Sequence, residues 1–249
     1  MDSEARVERR SFWWADTLFA LLAGAFGAWI LSAFLLVAMY GTDIDEWPPA
    51  AGFWIILPAQ MICQFGMIML LSRQRGTGNL ERDIGLVVEP KDAVWLLAGP
   101  AALFAFGILG STIRVLMGLP EDNPQALLDT VSEFEGTITV VAIVFGIGVL
   151  GPLVEEVTFR GLLLQTGLNK GLTVPTATLI SAAVFSLVHL VDWSLASKSG
   201  AVTLFMLFLL GVFLAQVRLR TGSLGAAIFV HSGFNMTTVL ALFLLPDLV

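Results

Sequence analysis

Apolar residues run along this chain in seven blocks, each interrupted by a short polar or charged stretch. The blocks cover about 17–40, 53–71, 93–117, 138–164, 174–196, 201–217 and 223–245. Each approaches or exceeds the roughly 20 residues an α-helix needs to cross hydrocarbon, where the backbone must satisfy its own hydrogen bonds. The pattern therefore predicts seven membrane-spanning helices. The first block is predicted to be an anchored span: Arg9-Arg10-Ser11-Phe12 is faintly similar to a twin-arginine signal, but the apolar run behind it is too long and no small-residue cleavage site follows. Between two blocks, Asn123-Pro124 reads as a helix start, with Leu127, Leu128, Val131 and Phe134 on one face, predicting a short helix on the membrane surface.

Composition agrees. Hydrophobic residues make up 57% of the chain and charged residues 13%, against about 25% charged in soluble domains. A soluble enzyme, a disordered chain and a nucleic-acid binder are excluded, the last also for want of a basic stripe. The single cysteine, Cys63, rules out a disulfide framework or a cysteine-built zinc site. No internal repeat, low-complexity tract or linker divides the chain. The expectation is an all-α, polytopic transmembrane bundle of seven to eight helices, one domain over 1–249, with residues 1–16 as a cytoplasmic N-terminal segment and the lipid bilayer as its first partner.

Orientation is read from lysine and arginine rather than from the formal net charge of −7. With the N-terminus inside, Arg6, Arg9, Arg10, Arg73, Arg75, Arg82, Lys91, Arg160, Lys170, Arg218 and Arg220 fall on or near the cytoplasmic side. Arg114 and Lys198 fall on the other, where Arg114 is expected to snorkel from the end of its span. Asp43, Asp45, Glu46 and the acidic residues between 121 and 135 populate the outer loops.

The informative residues are those that lipid should reject. An ionisable side chain at a helix centre costs about 2.5–3.5 kcal/mol on insertion scales, so such groups pair or serve function. Glu155, Glu156 and Arg160 sit in the fourth block, and both histidines of the chain, His189 and His231, are intramembrane. Glu156 and Arg160 are spaced i,i+4, which makes the arginine a natural counter-ion. Glu155 is turned about 100° away and is the carboxylate free for chemistry. His231 and Asn235 share a face at the same spacing, as do Phe185 and His189. Carboxylate, imidazole and an imidazole–amide pair suit amide hydrolysis, with water deprotonated by glutamate or histidine and an oxyanion held by His231 and Asn235. No G-x-S-x-G and no H-E-x-x-H is present. A divalent metal such as zinc, held by Glu155, His189 and His231 from separate helices, stands as an alternative to carboxylate-activated water. Gly146, Gly148 and Gly151-Pro152 precede the carboxylates and predict a kink or close helix approach.

Glu155-Glu156-Val157-Thr158-Phe159-Arg160 is E-E-x-x-x-R, Phe185 to His189 is F-x-x-x-H, and His231 to Asn235 is H-x-x-x-N. In this order, inside apolar blocks, the set resembles the CPBP family of intramembrane proteases. That family comprises the type II CaaX prenyl endopeptidases and bacteriocin-processing and immunity relatives, also called Abi. The resemblance covers about 138–245. It implies a polar intramembrane cavity open to the cytoplasm, Glu155 and His189 activating a water, and His231 with Asn235 stabilising the oxyanion. It also implies that Glu156, Arg160 and Phe185 support the site, and that a metal label is common among relatives. The expected protein is an endopeptidase in the inner membrane of a prokaryote, cutting a membrane-associated CaaX-like or bacteriocin-like substrate. A non-catalytic immunity or partner protein that keeps the motif for structure is the alternative; a small transporter ranks below both, for want of an inverted repeat. One depth disagrees: His189 lies about 24 Å along an outward-running helix from 174, far from the cytoplasmic end where Glu155 falls. The two meet if the fourth helix extends to about Gly167 and the fifth starts late, tilts or breaks.

Overall fold

The computed structural model describes residues 12–43, 47, 49–120, 141, 143–191 and 197–244. Among them are eight helices: α1 Trp14–Tyr40, α2 Pro49–Arg75, α3 Leu80–Ile84, α4 Pro90–Met117, α5 143–169, α6 Val174–Val188, α7 Lys198–Thr221 and α8 Leu224–Leu244. Seven of these lie on the seven apolar blocks. The eighth, α3, is little more than one turn, begun by the Asn79 side chain accepting from the Arg82 N–H at 3.2 Å and ended by Gly85 at φ +70°. The expected surface helix near Asn123 and the basic residues Arg6, Arg9 and Arg10 lie outside the described residues.

Five helices, α1, α2, α4, α7 and α8, are long and apolar enough to cross a membrane. The chain is accordingly an integral membrane protein. Trp29, Phe34, Phe104 and Leu116 stay exposed on the outer faces, as lipid permits and water would punish. Helix α6 is apolar but shorter, and α5 carries the two glutamates and the arginine.

The core gathers around α5. Val157 and Leu162 pack with Ala20 of α1, Ile68 and Leu71 of α2, Ile84 of α3 and Leu224 and Ile228 of α8. On the opposite side, Phe159 and Leu163 pack with Phe185 of α6. Leu210, Leu214 and Val217 of α7 meet Ala226 and Val230 of α8, with Trp95 and Phe106 of α4 beside them.

Helix α8 is placed by two devices. At its start, the buried Asp92 carboxylate accepts from Ser223 Oγ at 2.6 Å and from the Glu89 N–H at 2.9 Å, while the Gly225 N–H donates to the Val87 carbonyl at 2.8 Å. Further along, Gly99 of α4 and Gly233 of α8 touch backbone to backbone. A Cβ on Gly99 would strike Val230, Gly233 and Phe234, and one on Gly233 would strike the Leu96 carbonyl. Small residues at such a crossing let two backbones approach.

The depth disagreement resolves through the extension of α5. It runs on to Asn169, so Glu155 lies about as far from the α5–α6 turn as His189 does along α6, which starts at Val174 with no delay and becomes 3₁₀ only from His189. The expectation that Arg114 snorkels is wrong. It is 7% exposed, with Nε donating to Ser199 Oγ at 3.2 Å and Nη2 to Thr203 Oγ1 at 2.7 Å. Hydroxyls on the facing α7 offer closer partners than the end of the bundle does.

Candidate active site in the core of the bundle

Helix α5 is not a uniform α-helix. Its backbone widens to π geometry at Gly146–Leu150, returns to α at Gly151–Glu156 and widens again at Val157–Leu163. π turns inside α-helices often mark functional sites, and here they bracket the one α-helical stretch that ends in Glu155 and Glu156. The close helix approach expected at Gly146, Gly148 and Gly151 is present at Gly148: a Cβ there would press Met236 of α8, and one on Gly151 would lie 4.0 Å from Glu155 Oε1.

The two carboxylates part as their 100° offset requires. Glu156 is fully buried, and its Oε1 accepts from Arg160 Nη1 at 2.8 Å. The same oxygen meets His231 Nδ1 at 2.8 Å. The Glu155 side chain is 33% exposed, with Oε2 at 3.8 Å from His231 Nε2. With Glu156 as a carboxylate beside Arg160, the proton on that bond belongs to His231 Nδ1. The ring is thereby turned so that Nε2 faces Glu155. An imidazole thus stands between a buried carboxylate that orients it and a half-open one that can meet substrate.

Arg160 extends the network. Its Nη2 donates to the Gly211 carbonyl of α7 at 3.1 Å, and its Cζ lies 4.5 Å from the Phe185 ring centroid, a cation–π contact. Phe185 is the hub on which the rest turns. Its ring is edge-on to His231 at 5.7 Å, to His189 at 5.0 Å and to Phe159 at 5.4 Å. His189 is joined to the cluster through this ring. Its Nδ1 donates to the Phe185 carbonyl at 2.8 Å, which in a neutral imidazole leaves Nε2 as the acceptor. Asn235, one turn beyond His231, donates Nδ2 to the Ile147 carbonyl at 3.0 Å, within the first π stretch. The second hydrogen of that amide is left for another acceptor.

Glu155, Glu156, Arg160, Phe185 and His231 are therefore brought together. His189 is linked by ring contact, and Asn235 by the neighbouring turn of α8. Among the described residues no three His, Cys, Asp or Glu side chains converge as metal donors. In both histidines Nδ1 is committed, to Glu156 in His231 and to the Phe185 carbonyl in His189, which leaves Nε2 as the nitrogen open to a proton or a metal.

Sequence reasoning missed two parts. Gln64 of α2 is 3% exposed and donates Nε2 to Thr158 Oγ1 of α5 at 2.8 Å. Ser181 of α6 donates Oγ to the Phe159 carbonyl at 2.9 Å. The signal for the first is present in the sequence, since Gln64 is an amide inside an apolar block, but a neutral amide stands out there less than a charge.

Residues 137–237 match the family model described as "Type II CAAX prenyl endopeptidase Rce1-like". No curated protein and no solved structure matches the chain. The matched stretch begins before α5 and ends within α8, so it contains Glu155, Glu156, Arg160, Phe185, His189, His231 and Asn235. The chain carries, over residues 137–237, an Rce1-like type II CAAX prenyl endopeptidase family domain.

Proposed function

We propose that this protein is an intramembrane endopeptidase in which Glu155 activates a water against a peptide carbonyl. The observation that carries the reading is the carboxylate–imidazole–carboxylate chain, with a buried Glu156 orienting His231 towards a half-exposed Glu155. In this scheme Glu155 takes a proton from water, and the hydroxide adds to the carbonyl carbon. The proton passes to His231 Nε2, and the imidazolium, still held by Glu156, can donate to the oxyanion beside the second Asn235 N–H. The leaving amine recovers the proton as the C–N bond breaks. His189 Nε2 supplies a second base close to the Phe185 edge. The substrate class is a membrane-associated peptide, CaaX-like or bacteriocin-like, and the basic residues favour a cytoplasmic N-terminus in the inner membrane of a prokaryote.

The test is cleavage of a panel of such peptides by purified protein in detergent. Wild type is expected to cut and Glu155→Gln to be inactive at equal folding. Undiminished cleavage by Glu155→Gln would refute the mechanism.

A second reading is a non-catalytic immunity or partner protein. Full burial of Glu156 and near-full burial of Arg160 and His231 favour it, since such a network specifies helix packing without any substrate. A cellular phenotype that persists in Glu155→Gln and His231→Ala at normal expression would establish this second reading.

A further inference from the structure

Immediately after the two glutamates, α5 passes from α to π geometry. The Val157 N–H is shared between the carbonyls of Leu153 and Val154. Thr158 adds its hydroxyl to the same Val154 carbonyl at 2.8 Å. That hydroxyl is in turn the acceptor for Gln64 Nε2 at 2.8 Å. Gln64 has little freedom to swing away. Gly24, within the π stretch of α1, lies so close that a Cβ there would stand 2.5 Å from Gln64 Oε1. Thr158 is fully buried and Gln64 nearly so, in a bundle where an unmatched amide is costly.

The geometry points to Gln64 as a positioning residue: acting through Thr158, it sets the rotational phase of Glu155 and Glu156 towards His231. A helix at an α–π junction can be wound either way, and one residue of slip turns its side chains by about 100°. The Gln64–Thr158–Val154 chain holds the junction from a helix outside the matched residues 137–237. Gly24 is then glycine because the amide must lie there. The inference rests on the peptidase reading for its catalytic consequence, and on the hydrogen bonds alone for its structural one.

Two measurements test it. In cleavage assays Gln64→Leu and Thr158→Val should each lower kcat about tenfold or more, as small displacements of a catalytic group do. KM should stay within about twofold, because no substrate contact is removed. The double variant should be no slower than either single, and Thr158→Ser should recover the wild-type rate. Independently, histidine-labelled protein contains two imidazoles. In ¹⁵N spectra the His231 ring should shift in both single variants while His189 stays. An unmoved His231, or equal shifts at both rings, overturns the inference. If wild type shows no Glu155-dependent cleavage, the peptidase reading has failed, and the imidazole spectra still decide whether Gln64 positions the site.

Discussion

Replacing Arg160 by methionine probes what holds the site together. Methionine keeps an unbranched apolar stem and removes a guanidinium that meets Glu156 Oε1 at 2.8 Å, the Gly211 carbonyl at 3.1 Å and the Phe185 ring at 4.5 Å. Gly211 lies within α7, where its carbonyl keeps a helical partner, so that loss is minor. Losing the cation–π contact costs about 0.5–2 kcal/mol. The dominant effect is on Glu156, which is fully buried and would retain His231 Nδ1 as its hydrogen-bond partner among the described residues. Stripping one partner from a buried ion pair costs about 3–5 kcal/mol. An apparent melting temperature in detergent should therefore fall on the order of 10 °C, taking roughly 2–4 °C per kcal/mol for a chain of this size.

Adding Glu156→Leu to Arg160→Met should reverse much of that loss. The native network is incompletely satisfied, since Glu156 Oε2 and Arg160 Nε are buried without hydrogen-bond partners among the described residues. Apolar replacement of a whole buried pair is often neutral or stabilising, so the double variant should melt well above Arg160→Met. It should nevertheless remain inactive, because His231 has lost the carboxylate that turns its ring. Melts at one scan rate, followed by tryptophan fluorescence, with cleavage measured on the same samples, read both effects. A double variant as unstable as the sum of its singles, or one that is active, would refute this account of the network.

Four further outcomes follow from the same geometry. Phe185→Leu, which removes the ring shared by Arg160, His189 and His231, should destabilise by about 1–3 kcal/mol and lower kcat, read by melting and steady-state kinetics. Gly233→Ala, which sets a methyl against the Leu96 carbonyl, should part α4 from α8 at a cost of about 1–3 kcal/mol and reduce activity. Gly107→Ala, whose Cβ would meet nothing within 4 Å, should leave both unchanged. Chelation should leave cleavage intact if Glu155 and His231 activate water as proposed; a loss restored by added zinc would refute the metal-free scheme.

The helices were legible because lipid imposes a length and a polarity on each. Seven apolar blocks became seven helices, with ends displaced by a few residues: α1 takes in Asp16, which pairs with Arg75 of α2 at 3.1 Å instead of lying outside the span. Arg114 shows where length arguments stop. A basic residue near a span end can snorkel, but a facing helix with Ser199 and Thr203 at the right height captures it first. Nothing local to Arg114 announces those partners.

In the site, the i,i+4 spacing did foretell the Glu156–Arg160 pair and the outward turn of Glu155, since both follow from helix geometry alone. What spacing could not foretell is which oxygen His231 would choose. The ring bonds Glu156, already engaged by Arg160, and only approaches Glu155, an arrangement set by the Gly99–Gly233 crossing and the Asp92 anchor at the start of α8. The π stretches of α5 were equally hidden, because they depend on partners from other helices: Asn235 on the Ile147 carbonyl, Ser181 on that of Phe159, and Thr158 joined to Gln64. Scarce charged residues identify the chemistry in a membrane chain. The neutral amides and hydroxyls that hold those charges in register look unremarkable one by one, and only tertiary contact separates Gln64 from any other polar residue in an apolar helix.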